Sequence, residues 1–202
     1  CEITTTNVAG YAIRFLSNSS YRFLFNYIHD CVTGIAPGTA TNSLFAFNVF
    51  DTCSSYGILG AIIRSSLFFN NTFYNCATGI YDTTGYNNVF INNVFNDCAT
   101  AGASWGTQEN TNVWINNNFE GCGANVNVAS TLPHSDWLAK TFDPLFTNDA
   151  GGDFSLQAAS QLINNALGLT LGTSINSKMA IGAWQKEIVA GSSGGGIWGL
   201  IR

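Results

Sequence analysis

The chain has 202 residues, enough for one elongated domain with its own core, and 46% of them are hydrophobic. Only 9% are charged, against about 25% in ordinary soluble domains, and the net charge is −5. Seven Lys plus Arg are too few to neutralise a run of phosphates, which argues against nucleic acid, and no apolar run approaches the ~20 residues that span a bilayer.

The chain opens on Cys1 without a methionine and reads as a processed or truncated piece. From Tyr21 to about His134 five similar stretches follow one another: YRFLFNYIHDCVTGI, SLFAFNVFDTCSSYGI, SLFFNNTFYNCATGI, NVFINNVFNDCATAG and NVWINNNFEGCGANV. Each carries one cysteine, Cys31, Cys53, Cys76, Cys98 and Cys122, at steps of 22, 23, 22 and 24 residues. Five positions upstream stands an asparagine (Asn26, Asn48, Asn71, Asn93, Asn117), and three upstream a large apolar residue (Ile28, Phe50, Phe73, Phe95, Phe119). A period of this length is that of a leucine-rich repeat or a β-helix rung. The leucine pattern is missing, and short β-rich runs alternate with Asn and Gly turns. The fold class is therefore all-β: a parallel β-helix of about 22–24 residues per rung, with three short strands in each turn. In residues 1–20, Gly10 and Tyr11 match the G-I pair of later rungs, with Asn7 in the cysteine place, so one more rung is expected there.

Strand alternation assigns faces. Leu44, Leu67, Val89 and Val113, with Ala46, Phe69, Ile91 and Ile115, are read as inward, and Arg22 then breaks the rule at the first inward place. The column from Ile28 to Phe119 and the cysteine column are also read as inward, and the aligned asparagines as a hydrogen-bonded ladder. Between the inward places of the first strand recur Phe23, Phe45, Phe68, Phe90 and Trp114, which this phase turns outward as an exposed aromatic stripe. Stacked cysteines at a spacing of roughly 4.8 Å suit free buried thiols better than disulfides, and one linear column does not make a tetrahedral metal site.

The N-x-F/I-x-x-C-x-x-G-I pattern over residues 21–122 resembles the right-handed parallel β-helix repeat proteins of the pectate-lyase-like superfamily. Residues 142–185, TFDPLFTNDAGGDFSLQAASQLINNA and then IGAWQ, resemble the closing segment of bacterial and phage members. That superfamily holds lyases, hydrolases, surface proteins and virion fibres, so it implies the fold and leaves the activity open.

The remaining expectations follow the chain. Residues 99–111 form the longest excursion, expected to bulge outward and present Trp105. The stretch HSDWLAK leaves the repeat, with Ser135 as cap of a short helical turn. DPLF, DFSLQ and IGAWQ are expected to supply the last strands. The division is rungs over 1–138, closing rungs and cap over 139–189, and a Gly-rich tail over 190–202 whose Ile197, Trp198 and Leu200 should dock on protein. His29, Asp51, Tyr74, Asn96 and Glu120 form an outward column without the paired carboxylates that a glycosidase needs. Asp143, Asp149 and Asp153 are assigned to turns rather than to calcium. No catalytic residue, metal or cofactor is assigned. The favoured function is a non-catalytic structural or adhesive domain of a virion (tail fibre, tailspike or decoration protein) or cell surface. Its partner is expected to be other copies of itself, a trimer favoured, or other structural subunits, in an extracellular setting. The alternatives are a polysaccharide lyase or hydrolase and a carbohydrate-binding module.

Overall fold

A computed structural model describes residues 1–4, 10–16, 18–106, 111–128, 136–163, 165–167 and 182. The described chain is a right-handed solenoid of parallel strands with about 5 turns. The first sheet stacks Arg22–Leu24, Leu44–Ala46, Leu67–Phe69, Val89–Ile91, Val113–Ile115 and Asp136–Trp137, all parallel and in register. The second sheet has ten strands and bends at the cysteine column. One arm carries Ile28, Phe50, Phe73, Phe95 and Phe119, and the other carries Ile35, Ile58, Ile80 and Ala103. A short third sheet pairs Asn18–Ser19, Thr39–Thr41 and Ile62–Arg64.

Corners are made by residues in the left-handed region. Phe25, Phe47, Asn70, Asn92 and Asn116 (φ 51–57°) turn the chain after the first sheet, and Asp30, Thr52, Asn75, Asp97 and Gly121 (φ 49–64°) turn it before the cysteines. Asn and Asp tolerate this conformation better than other L-residues, which is why they crowd these places. The expected asparagine ladder is present. Each Nδ2 of Asn26, Asn48, Asn71 and Asn93 donates to the next Oδ1 at 2.9–3.0 Å. Asn48, Asn71, Asn93 and Asn117 also donate to the carbonyls of Phe23, Phe45, Phe68 and Phe90 one rung back. Buried amides are thereby satisfied without solvent.

The core corrects the expected phase of the first sheet. Phe45, Phe68 and Phe90 are fully buried and Trp114 is 2% exposed, while Phe23 packs half-buried against them. They stack inside the solenoid with ring centroids 4.8, 4.5 and 3.9 Å apart from Phe45 to Trp114. A second inward column, Phe50, Phe73, Phe95 and Phe119, stacks at 4.8–4.9 Å. Leu44, Leu67, Val89 and Val113 therefore face outward, and Arg22 among them is no exception to any rule. The cysteines do occupy one inward column, and all six in the chain are free thiols.

Four further expectations differ. Ala12 and Ile13, not Gly10 and Tyr11, stand beside Gly34 and Ile35, because Tyr11 pairs Thr33 and Ile13 pairs Ile35. Trp105 is not presented but buried, edge-on to Phe90 and Trp114. Asp136–Trp137 continues the first sheet instead of leaving it for a helical turn, and Ser135 lies outside the described residues. Phe146–Asn148 and Asp153–Leu156 pair antiparallel as a hairpin and do not extend the rungs. Ile197, Trp198, Leu200 and all of IGAWQ except Gly182 lie outside the described residues.

Candidate functional site

The outer faces of the two long sheets differ in what covers them. On the second sheet the chain covers itself. The hairpin lays Phe146 and Phe154 against Tyr27, Val49 and Tyr74, and Leu156 and Leu162 close over Val94. Asn165, Leu167 and Gly182 tie this segment to the corner asparagines. Asn116 Nδ2 donates to Asn165 O, Leu167 N donates to Asn92 Oδ1, and Gly182 N donates to Asn92 O.

The column of His29, Asp51, Tyr74, Asn96 and Glu120 lies in register on this same face, as the sequence places it. His29 contacts Asp30 Oδ2 at 2.8 Å through Nδ1 and Glu2 Oε1 at 3.2 Å through Nε2. Asp51 accepts from the Tyr27 and Thr52 hydroxyls, both at 2.8 Å, and is 9% exposed. Burial pulls the His29 imidazole down, but the bonds to Asp30 and Glu2 outweigh it and hold it above its ordinary value. Burial, then the Asp51 bond and charge, push the Tyr27 phenol well up, so it stays a donor to that carboxylate. At the other end of the column burial raises both Asp97 and Glu120. Asp149 and Asp143 add to the first, Asp97 and Asp143 to the second, and the Asn96 amide works against the second. Among the described residues no three His, Cys, Asp or Glu side chains are grouped to hold a metal ion.

Among the described residues, nothing covers the first sheet's outer face. An elongated groove of about 820 Å³ runs along it, floored by Leu44, Leu67, Val89 and Ile91 with Arg22 at one end. Asn42, Ser65 and Asn87, all in the left-handed conformation, line its edge one rung apart. Beyond the groove the same face continues to Val113, Trp137 and Leu138, which are 46%, 66% and 45% exposed. The groove's described lining holds no carboxylate or imidazole, and Tyr21 and Arg22 are its titratable side chains.

Beneath the groove edge runs a second polar ladder that sequence reading missed. Tyr21 N donates to Ser43 Oγ, Ser43 N to Ser66 Oγ, Ser66 N to Asn88 Oδ1 and Asn88 N to Asn112 Oδ1, at 2.8–3.1 Å. Its signal was present: a Ser or Asn stands immediately before every first-sheet strand except the first, which follows Tyr21.

No curated protein and no solved structure matches the chain. A family profile described as a right-handed β-helix region matches residues 2–136, about two thirds of the chain and the whole of the regular stack. The chain belongs to the right-handed β-helix family.

Proposed function

We propose that the protein is a non-catalytic structural or adhesive β-helix of a virion or cell surface, and that it works through the outer face of its first sheet. The observation that carries this is the contrast between two faces. The arm of the second sheet that precedes the cysteines is covered outside by the chain's own residues 142–163 and 165–167, while the first sheet's outer face keeps a half-buried aliphatic column that no described residue covers. Exposed strips of this kind mark contact sites. Leu44, Leu67 and Val89 recur at the rung spacing of roughly 4.8 Å, and every copy of the chain has that same spacing. Parallel copies can thus meet rung by rung around a symmetry axis, as a homotrimer or another closed assembly requires. The inward aromatics Phe45, Phe68, Phe90 and Trp114 serve the core in this arrangement, not the interface.

The test is sedimentation of the parent and of a Leu67→Asp, Val89→Asp double variant over a dilution series. The parent is expected to associate and the variant to stay monomeric with an unchanged β-sheet spectrum. A parent that is monomeric at every concentration removes the subunit reading. Carbohydrate binding is the second reading, favoured by the in-register edge of Asn42, Ser65 and Asn87, whose amides and hydroxyls suit sugar hydroxyls. It predicts that a polysaccharide panel finds a ligand whose retention is lost on changing Asn42 and Asn87 to Ala.

A further inference from the structure

The thiol column is the one inward column whose side chains are capable of bond-forming chemistry. In a parallel ladder, equivalent side chains stand roughly 4.8 Å apart. Cys31 and Cys53 are direct partners in the ladder, yet their Sγ atoms lie 3.4 Å apart, so the two side chains lean together. Cys76 and Cys122 instead direct their thiols to the carbonyls two residues back, of Tyr74 and Glu120, at 3.4 and 3.6 Å. Two further features bear on this close pair. The register slips between Cys31 and Thr33, because the second rung carries one more residue between its cysteine and its glycine, so the backbone there is irregular. Cys31 is also at the accessible end of the pair, 5% exposed against 0% for Cys53. A Cα separation near the rung spacing falls inside the range that disulfides span.

We propose that Cys31 and Cys53 form a reversible oxidation site, in which a diffusible peroxide converts the leaning thiols into a disulfide that staples the first two complete rungs. Cys31 is the attacking sulfur. Its hydrogen bond from Cys53 favours the thiolate, burial opposes this, His29 favours it again and the Asp30 charge opposes it, which together leave the thiol below its ordinary value. The thiolate attacks one peroxide oxygen, the O–O bond breaks, and hydroxide leaves and takes up a proton to become water. Cys31 is then a sulfenic acid. The Cys53 sulfur displaces its oxygen, which departs as a second water with the Cys53 proton. Two thiols are oxidised by two electrons and one peroxide is reduced to two waters.

The closed loop joins strands Tyr27–Pro37 and Val49–Gly60, the two longest of the stack. It constrains the unfolded chain, so the oxidised protein should unfold at a higher temperature than the reduced one.

The experiment exposes the full-length chain to hydrogen peroxide, alkylates free thiols under denaturing conditions, and digests with chymotrypsin, which separates the two cysteines at Phe45. The expected product is a cross-linked pair of peptides carrying Cys31 and Cys53 without alkylation. Reduction should split it, and the melting temperature should rise by several degrees before reduction. A Cys76→Ser variant should still give the same cross-link. A link between Cys53 and Cys76, links between chains, or Cys31 recovered only as sulfinic or alkylated thiol would each overturn the proposal. The parent digest decides the matter even if a cysteine variant fails to fold.

Discussion

Asp82 faces the core at the end of the strand Thr78–Asp82 and is fully buried. It accepts from Ile63 N at 2.6 Å and from Thr84 N at 3.1 Å, where the next rung no longer supplies a third-sheet strand beside Ile63. Burial raises its carboxyl to about 7, although the backbone donors of Thr84, Ile63 and Gly85 pull the other way. The folded state therefore binds this proton more tightly than the unfolded state. Stability from Asp82 is full below about pH 4 and falls as pH rises through about 7. A shift from 3.8 to about 7 corresponds to on the order of 4 kcal/mol at 1.36 kcal/mol per unit. Denaturant unfolding of Asp82→Asn at about pH 4 and about pH 8 should lose most of this pH dependence. Among the described residues Asp97, Glu120 and His29, whose values are also raised, contribute in the same direction. A variant with the parent's full slope would show that Asp82 is not the group responsible. None of this was legible in the sequence, where Asp82 is one more polar residue in a turn.

At the scale of the element, the recurring pattern was legible before its causes were. The G of C-x-x-G-I looked like turn chemistry. It sits instead inside a strand, where a Cβ on Gly34, Gly57 or Gly79 would lie 2.5–2.6 Å from a carbonyl oxygen of the next rung and 2.7–2.8 Å from a phenyl ring. The inward Phe of each following rung takes the room that a methyl group would need. Gly79→Ala should therefore destabilise the stack by about 1–3 kcal/mol through overpacking against Gly102 O and Phe95, read as a lowered denaturant midpoint with the slope unchanged. An unchanged midpoint would show that the ring can move aside. The phase of the first sheet was not legible for a different reason. Its strands are three residues long and often apolar throughout, as in Val89–Ile91, so alternation has no polar residue to fix it. Arg22 was the marker, and it pointed to the outward place. Trp105 misled because the long excursion begins after it, while Ala103 still pairs Ile80. The turn at Asn148-Asp149-Ala150-Gly151-Gly152 was legible, and there Asn148 caps a short 3-10 turn and Gly152 adopts φ 77°, but the antiparallel pairing around it was not read.

At the scale of the whole molecule, the C-terminal hairpin decides which face the described residues leave uncovered. By lying on the second sheet it hides Asp51 and Asn96 and leaves Leu44, Leu67 and Val89 open. The polar column that sequence reading considered for catalysis is thus built into a contact within the chain, and the aliphatic column that it placed in the core is the open surface. Carbene footprinting of the parent protein, dilute and concentrated, tests this assignment most directly. The account predicts that Leu67, Val89, Val113 and Trp137 are labelled when dilute and protected when concentrated, and that Phe45, Phe68 and Phe90 stay unlabelled in both. Labelling of Phe68 and Phe90, or equal labelling of Leu67 and Val89 at both concentrations, would contradict it.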